Sequence, residues 1–440
     1  MSGTAPLHDP LADRALGRVF RRLLPLMMLL LLLSLIDRTN ISFAALQMNA
    51  ELGLTPATYG LAAGIFFIGY CLFEVPSNLI LARVGARPWL ARIMISWGAL
   101  VVAMAEVRGV RSFYVLRLLL GIAEAGLLPG TFLYLSRWVP VRRLGLAFSL
   151  LMSATAIANV ISGPVAGGLM QLEGLWGLRG WQWVFVVEGL ATMLVGIAVL
   201  RFLPERLEDA EWLSDSERRL LASALARDAQ VKAASGVTDF RQGFLDRRVI
   251  IATVVCFLFI CCNFGTVFWL PQIVKSLGAS SPLQIGFLTA IPYLLGGVAT
   301  IWSGQHSDHT RERRWHLVCG ALLACAGYAL AGTAAASASI AFMALCVATA
   351  GIWSMFGVFW GYAGGLLGGA AAAGGLAFIN SFSALGGFVG PVAIGFVRQQ
   401  TQSFSSSLFV LAGFSLLTAA AALLVRNADR PEQQSLSVAT

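Results

Sequence analysis

Apolar residues in this chain neither alternate nor form isolated amphipathic stripes. They come in long runs separated by short polar connections. A helix needs about 20 residues to cross a hydrocarbon core roughly 30 Å thick, and these runs lack the period-2 alternation of a barrel strand. The pattern predicts twelve spans, at 22–48, 57–82, 88–106, 112–136, 144–170, 181–203, 248–275, 282–306, 314–335, 338–363, 372–398 and 404–426. The longest polar stretch, 204–247, parts them six and six. The expected division is a tail at 1–21, a six-helix bundle at 22–203, a linker at 204–247, a second bundle at 248–426 and a tail at 427–440. Within the linker, "LSDSERRLLASALARD" predicts a short connector helix. Ser214 and Glu217 have capping-box spacing, and Leu220, Leu221 and Leu225 form one apolar stripe.

Composition agrees with a polytopic, all-α membrane protein: 58% of residues are hydrophobic and 12% charged, against about 25% charged in soluble domains. Arg14, Arg18, Arg21 and Arg22 run straight into a segment too long for the apolar region of a signal peptide, so the first span is expected to stay in the membrane. Lysines and arginines collect on one side. The tails, the linker region and the loops after spans 2, 4 and 8 hold 24 of them, and the opposite loops hold five. That bias places both termini in the cytoplasm. The net charge of +9 is therefore a matter of topology and calls for no nucleic acid. All seven cysteines fall inside predicted spans, where free cysteine behaves as a small packing residue. Neither HExxH nor a P-loop is present, and His306, Asp308 and His309 sit in a loop repeat rather than in a metal site.

The two halves align with one another. Phe43/Phe268, Gln47/Gln272, Leu52/Leu277 and Gly53/Gly278 are 225 apart, Pro56/Pro282 and Gly60/Gly286 are 226 apart, and "GPVAGG" at 163 faces "GPVAIG" at 390. Such self-similarity marks an internal structural repeat. "NLILARVGAR" (78–87) likewise falls on "GQHSDHTRER" (304–313).

With two six-span halves and a basic loop repeated after spans 2 and 8, the chain resembles the major facilitator superfamily. The family's loop signature, Gly-x-x-x-Asp-Arg-x-Gly-x-Arg, is partly kept as Arg83, Gly85 and Arg87, with Asn78 and Ala82 for the Gly and Asp. The second copy keeps Gly304, Asp308 and Arg313. These six residues are expected at a gate. More specific stretches are "DRTNISFA" (37–44), "GYCLFEVPSNLILARVGARPWLARIM" (69–94), "RLLLGIAEAGLLPGTFLYLSRW" (117–138), "GWQWVFVVEG" (180–189) and "FINSFSALGGFVGP" (378–391). Together they resemble the anion:cation symporter branch, whose members carry phthalate, tartrate, sugar acids, hydroxyphenylacetate and similar organic anions, generally with protons. The resemblance implies a transporter rather than an enzyme, with protons as coupling ion and no bound cofactor.

Six charged residues lie well inside spans: Asp37, Arg38, Glu74, Arg117, Glu124 and Glu188. Each ionised group at that depth costs about 2.5 to 3.5 kcal/mol on insertion scales and tends to face a cavity or a partner. Four acids against two bases leave surplus carboxylates, which hold protons in a low-dielectric site. Asp37 and Glu124 are the expected proton carriers, as the resemblance also implies, while Glu74 and Glu188 read as structural acids. Arg117 and Glu124, seven apart on one helix face, can meet or share a partner. Arg38 is the expected anchor for a carboxylate, because its planar fork binds both oxygens. Tyr70 resembles the family's second contact to that anion.

In the second half, Arg38 maps onto Asn263 and Asp37 onto Cys262, so the anchor is one-sided and fits one carboxylate. Asn263, Trp360, Asn380 and Ser381 are further candidates for binding substrate, Trp360 and Asn380 because the resemblance places them at the cavity. Ser383-Ala384-Leu385 stands where the family commonly has Gly-Asn-Leu, which makes a heavily hydroxylated sugar acid a poorer fit and an apolar or aromatic monoacid a better one. "GGLLGGAAAAGG" (364–375) reads as a sliding gate between spans 10 and 11. The expected function is proton-coupled uptake of a small organic anion by a monomer in a bacterial inner membrane. Export or exchange on the same scaffold is the alternative, although the antiporter motif around "GPVAGG" is incomplete, with Leu150 and Asn159 at two of its glycine positions.

Overall fold

A computed structural model of the chain describes residues 10–234, 246–334, 337–366 and 369–425. The described residues form fifteen α-helices and three short 3-10 turns. The helices are α1 (Pro10–Glu51), α2 (Pro56–Val84), α3 (Ala86–Met104), α4 (Val110–Glu124), α5 (Leu127–Ser136), α6 (Val141–Leu169), α7 (Gly180–Phe202) and α8 (Asp215–Ala234). They continue with α9 (Arg247–Ser276), α10 (Pro282–Thr310), α11 (Arg314–Thr333), α12 (Ala338–Gly364), α13 (Gly369–Ala384), α14 (Gly386–Thr401) and α15 (Phe404–Ala422). α4 and α5 together make one predicted span, broken at Ala125–Gly126, and α13 and α14 make another, broken at Leu385. With α8 set apart as the connector, eleven spans among the described residues are long and apolar enough to cross a membrane, and α3, of 19 residues, stands at the remaining predicted span.

The repeat is written into the helix ends. α1 and α9 are each followed by a glycine with positive φ, Gly53 at 63° and Gly278 at 107°. α2 and α10 then start on a proline, Pro56 and Pro282. A left-handed glycine releases the carbonyl end of one helix, and a proline, lacking an N–H, opens the next without losing a bond.

α1 begins at Pro10, well before the predicted span, so the tail expected at 1–21 is helical from Pro10 onward. The extension persists because it is amphipathic: Ala15, Val19 and Leu23 are buried, while Arg18 donates to Glu217 of α8 at 3.0 Å. α8 itself starts on the expected capping box, with Ser214 N–H donating to Glu217 Oε2 at 2.9 Å and Glu217 N–H donating to Ser214 Oγ at 3.3 Å. The Ser214 backbone N–H first, and with it the Ser214 hydroxyl, which donates to the same Glu217 oxygen at 3.0 Å, hold the Glu217 carboxyl below the usual carboxylate range. Of the glycine-rich stretch at 364–375, residues 367 and 368 lie outside the described residues.

The chain gathers into two compact units. One holds α1, α2 from Ile65, α3 to α8 and Ser280–Ala290; the other holds Pro56–Gly64, α9, α10 from Ile291 and the helices that follow. Inside the first, helices approach to backbone contact. A Cβ on Gly98 of α3 would lie 2.7 Å from the Gly189 carbonyl oxygen of α7, and one on Gly189 would lie 2.7 Å from the Gly98 oxygen. A Cβ on Gly121 of α4 would run into the Phe66 carbonyl of α2. These approaches leave the neighbouring polar side chains within hydrogen-bond reach of each other.

Two outcomes follow from this packing. Gly121→Ala should lower thermal stability in detergent by about 1–3 kcal/mol, an overpacking cost, whereas Gly145→Ala, with nothing within 4 Å of its Cβ, should be neutral or gain up to about 1 kcal/mol. Ser214→Ala should cost α8 about 1 kcal/mol, read as faster amide exchange in its first turn. In the unsubstituted protein that protection should be complete above the ordinary carboxylate range and be lost as pH falls through the lowered value of Glu217.

Candidate functional site

The charged pair at the centre of α1 is split by helix geometry. Neighbours on a helix point about 100° apart, while residues three or four apart share a face. Asp37 therefore acts with Asn40, and Arg38 with Ser34.

On the Arg38 face, Glu124 Oε1 accepts three bonds: from Ser34 Oγ at 2.6 Å, from Arg38 Nε at 2.9 Å and from the second Arg38 nitrogen at 2.7 Å. Glu124 is fully buried and the Arg38 side chain is 17% exposed. Glu124 is the last residue of α4, where the unpaired carbonyls of a helix end disfavour a negative charge. The guanidinium offsets that cost. The remaining oxygen, Oε2, is buried and has no hydrogen-bond partner among the described residues. The Arg38 guanidinium also lies 4.9 Å from the Tyr70 ring centroid and 5.4 Å from that of Phe66. Arg117, 1% exposed, approaches the same Phe66 ring at 4.9 Å, so both cations rest on one aromatic ring.

On the Asp37 face, one amide joins two acids. Asn40 Nδ2 donates to Asp37 Oδ1 at 2.9 Å and to Glu188 Oε2 at 2.8 Å. Trp97 Nε1 donates to Asp37 Oδ2 at 2.9 Å. The close approach of α3 and α7 at Gly98 and Gly189 places Trp97 and Glu188 beside α1. Glu188 Oε1 is buried and has no hydrogen-bond partner among the described residues. A buried carboxylate oxygen with no donor is an atom that a proton can occupy.

The structure thus brings together Asp37, Arg38, Tyr70, Arg117 and Glu124, all in the first unit. The ion pair on Glu124 comes from Arg38 of α1. Ser34, Asn40 and Trp97 were not among the sequence candidates, and Glu188, read there as structural, is bonded through Asn40 to Asp37. Asn40 had a signal, its i+3 spacing from Asp37; Trp97 had none. In the second unit, Asn263 is buried on α9, Trp360 of α12 is 38% exposed, and Asn380 and Ser381 of α13 are partly buried. Cys262, at the repeat position of Asp37, contacts Ser415 Oγ of α15 at 3.4 Å, a packing role.

The loop-signature residues lie at helix ends. Arg83 is exposed at the end of α2, Gly85 turns the chain with φ 106°, and Arg87 donates to the Leu200 carbonyl. In the second copy Asp308 pairs with Arg313, and nothing stands within 4 Å of a Cβ built on Gly304. Arg311, the repeat mate of Gly85, also has a positive φ, 53°. Where Ala82 replaces the signature aspartate, Glu205 supplies a carboxylate to the loop, accepting the N–H groups of Ala86 and Arg87 at 2.9 and 2.8 Å.

Comparison with known proteins gives a consistent picture. A protein of Agrobacterium vitis named "Putative tartrate transporter" is 43% identical over 421 residues, covering 96% of this chain and 93% of that one. A quinolone resistance transporter of Acinetobacter baumannii is 38% identical over 394 residues, covering 89% and 90%. Among solved structures, a bacterial homologue of the human lysosomal transporter Spinster, in an inward-facing and occupied conformation, superposes with a TM-score of 0.77 at 16% identity, covering 91% and 96%. It supports the fold alone. The family model described as Major Facilitator Superfamily matches residues 27–391. The chain therefore belongs to the major facilitator superfamily, as an integral membrane secondary transporter and not an enzyme.

Proposed function

We propose that this transporter takes up a small organic anion, a carboxylate, together with protons, by alternating access around a midplane site. The observation that carries the reading is the Arg38–Glu124 pair: one partly exposed guanidinium, already bound to a carboxylate whose second oxygen has no hydrogen-bond partner. A substrate carboxylate that takes Arg38 displaces Glu124. Removing one partner of a buried ion pair costs about 3–5 kcal/mol, since a charge is left uncompensated. A proton on Glu124 removes that cost. At 1.4 kcal/mol per factor of ten, the proton then changes anion affinity by roughly two to four orders of magnitude, which ties the two ligands together. Asp37 and Glu188, bridged by Asn40, are the proposed second station for a proton. Tyr70 supports the anchor, and Asn263, Trp360, Asn380 and Ser381 are proposed contacts of the rest of the substrate.

The relative named for tartrate supports a small carboxylate but speaks against a strict preference for an apolar monoacid, since tartrate carries two carboxylates and two hydroxyls. The proposed setting is a bacterial inner membrane with both termini cytoplasmic, as a monomer. The quinolone resistance relative keeps a second reading in play, proton-driven export on the same scaffold.

Proteoliposome uptake across a panel of tartrate, aliphatic, aromatic and sugar acids tests the proposal. An inward proton gradient should drive accumulation of at least one carboxylate, whereas accumulation only under an outward gradient favours export. Affinity should rise as pH falls, because protonated Glu124 releases Arg38. Glu124→Gln should bind the anion with little pH dependence and sustain counterflow exchange while losing gradient-driven accumulation. Arg38→Ala should weaken anion binding at least about a hundredfold, the loss of a charge-assisted bidentate contact. Normal accumulation by Glu124→Gln contradicts the coupling role.

A further inference from the structure

Where α2, α5 and α7 end in the first unit, a cavity of about 350 Å³ is lined by Arg83, Arg137 and Arg206, with Trp138, Glu205 and Gly85 among its walls. All three arginines are exposed, and among the described residues none is paired with a carboxylate. Glu205 also lines the cavity and offsets one of the three charges, but its two oxygens are turned to the N–H groups that open α3, and the lining stays net positive. A second cavity of about 330 Å³ is lined by Arg18, Arg21, Arg22 and Trp212. Trp212 stacks on Trp138, centroids 6.1 Å apart and planes 21° apart, so one indole pair has basic cavities on both sides. Indoles collect at membrane–water interfaces.

The approach to the first cavity is apolar. Leu72, Val75 and Leu79 are 65%, 59% and 59% exposed, and their spacing of three and four puts them on one face of α2. Arg83 follows Leu79 by four on that face. An acyl chain along the strip ends among three guanidiniums, whose planar forks suit phosphate oxygens.

We propose that the Arg83–Arg137–Arg206 cavity binds the phosphate of an anionic phospholipid headgroup. Basic pockets at helix ends bind such headgroups through phosphate contacts. The apolar strip favours lipid over soluble phosphate as the source, since inorganic phosphate gains nothing from it. Only the choice of leaflet rests on the orientation proposed above.

The test uses the full chain in maltoside micelles, with bound lipid counted by native mass spectrometry during titration with phosphatidylglycerol, phosphatidylcholine or inorganic phosphate. The unsubstituted protein should retain phosphatidylglycerol in preference to phosphatidylcholine. Arg137→Gln with Arg206→Gln should weaken phosphatidylglycerol about thirtyfold, the effect of two arginine contacts near a membrane surface. Arg219→Gln with Arg227→Gln, on the exposed side of α8, should leave it unchanged. If the glutamine pair does not fold, Arg137→Lys with Arg206→Lys keeps the charge and loses the fork, and should show an intermediate loss. Equal retention by the unsubstituted protein and the pocket variants, or an equal loss in the α8 control, overturns the site. Saturation by millimolar phosphate with no preference between the two lipids overturns the lipid source.

Discussion

A guanidinium and a carboxylate held together inside a stack of apolar helices constrain the first unit more than any other contact. Arg38 and Glu124 come from helices α1 and α4, and neither charge is tolerable there without the other. Their approach requires α2 to lie against α4 at Gly121 and requires Phe66 and Tyr70 to face the cations. It also turns Asp37 to the other side of α1, where Trp97 and the Asn40 amide receive it. The two charges quoted side by side in the sequence thus belong to two hydrogen-bond systems that share a helix and little else.

Repeat symmetry extends to the backbone but not to the chemistry. The glycine-then-proline corners at Gly53–Pro56 and Gly278–Pro282 match, and Gly85 and its mate Arg311 both have positive φ. At the site, by contrast, Asp37 and Arg38 face Cys262 and Asn263 in the alignment, and Cys262 is occupied with packing on α15. Backbone corners are preserved because both halves must turn at the same places. The chemistry is concentrated in one half, which suits a single charged anchor.

Much of this could be read from the residues. Long apolar runs located the passes, because a backbone crossing lipid must satisfy its own hydrogen bonds and so forms whole helices. Ser214 and Glu217 announced the connector helix. Asp37, Arg38, Arg117 and Glu124 stood out because charge is rare at that depth. The Arg38–Glu124 pairing was not legible, because it is set by tertiary packing between α1 and α4. The start of α1 at Pro10 was also missed, since the partner of Arg18 in that extension is Glu217 of α8, 199 residues away. Trp97 looked like any apolar aromatic, and only its indole N–H, aimed at Asp37, distinguishes it.

On the proposed function, the same pair that stabilises the first unit is the one that transport has to open. If Arg38 leaves Glu124 for the substrate only when Glu124 takes a proton, anion binding must carry a proton with it even in the absence of a membrane gradient. The most direct measurement is calorimetric titration of the purified protein with its anion in buffers of different ionisation enthalpy, which counts protons taken up per anion bound. The account predicts net proton uptake near neutral pH in the unsubstituted protein and its loss in Glu124→Gln. Anion binding without proton uptake, or equal uptake in both proteins, would contradict it.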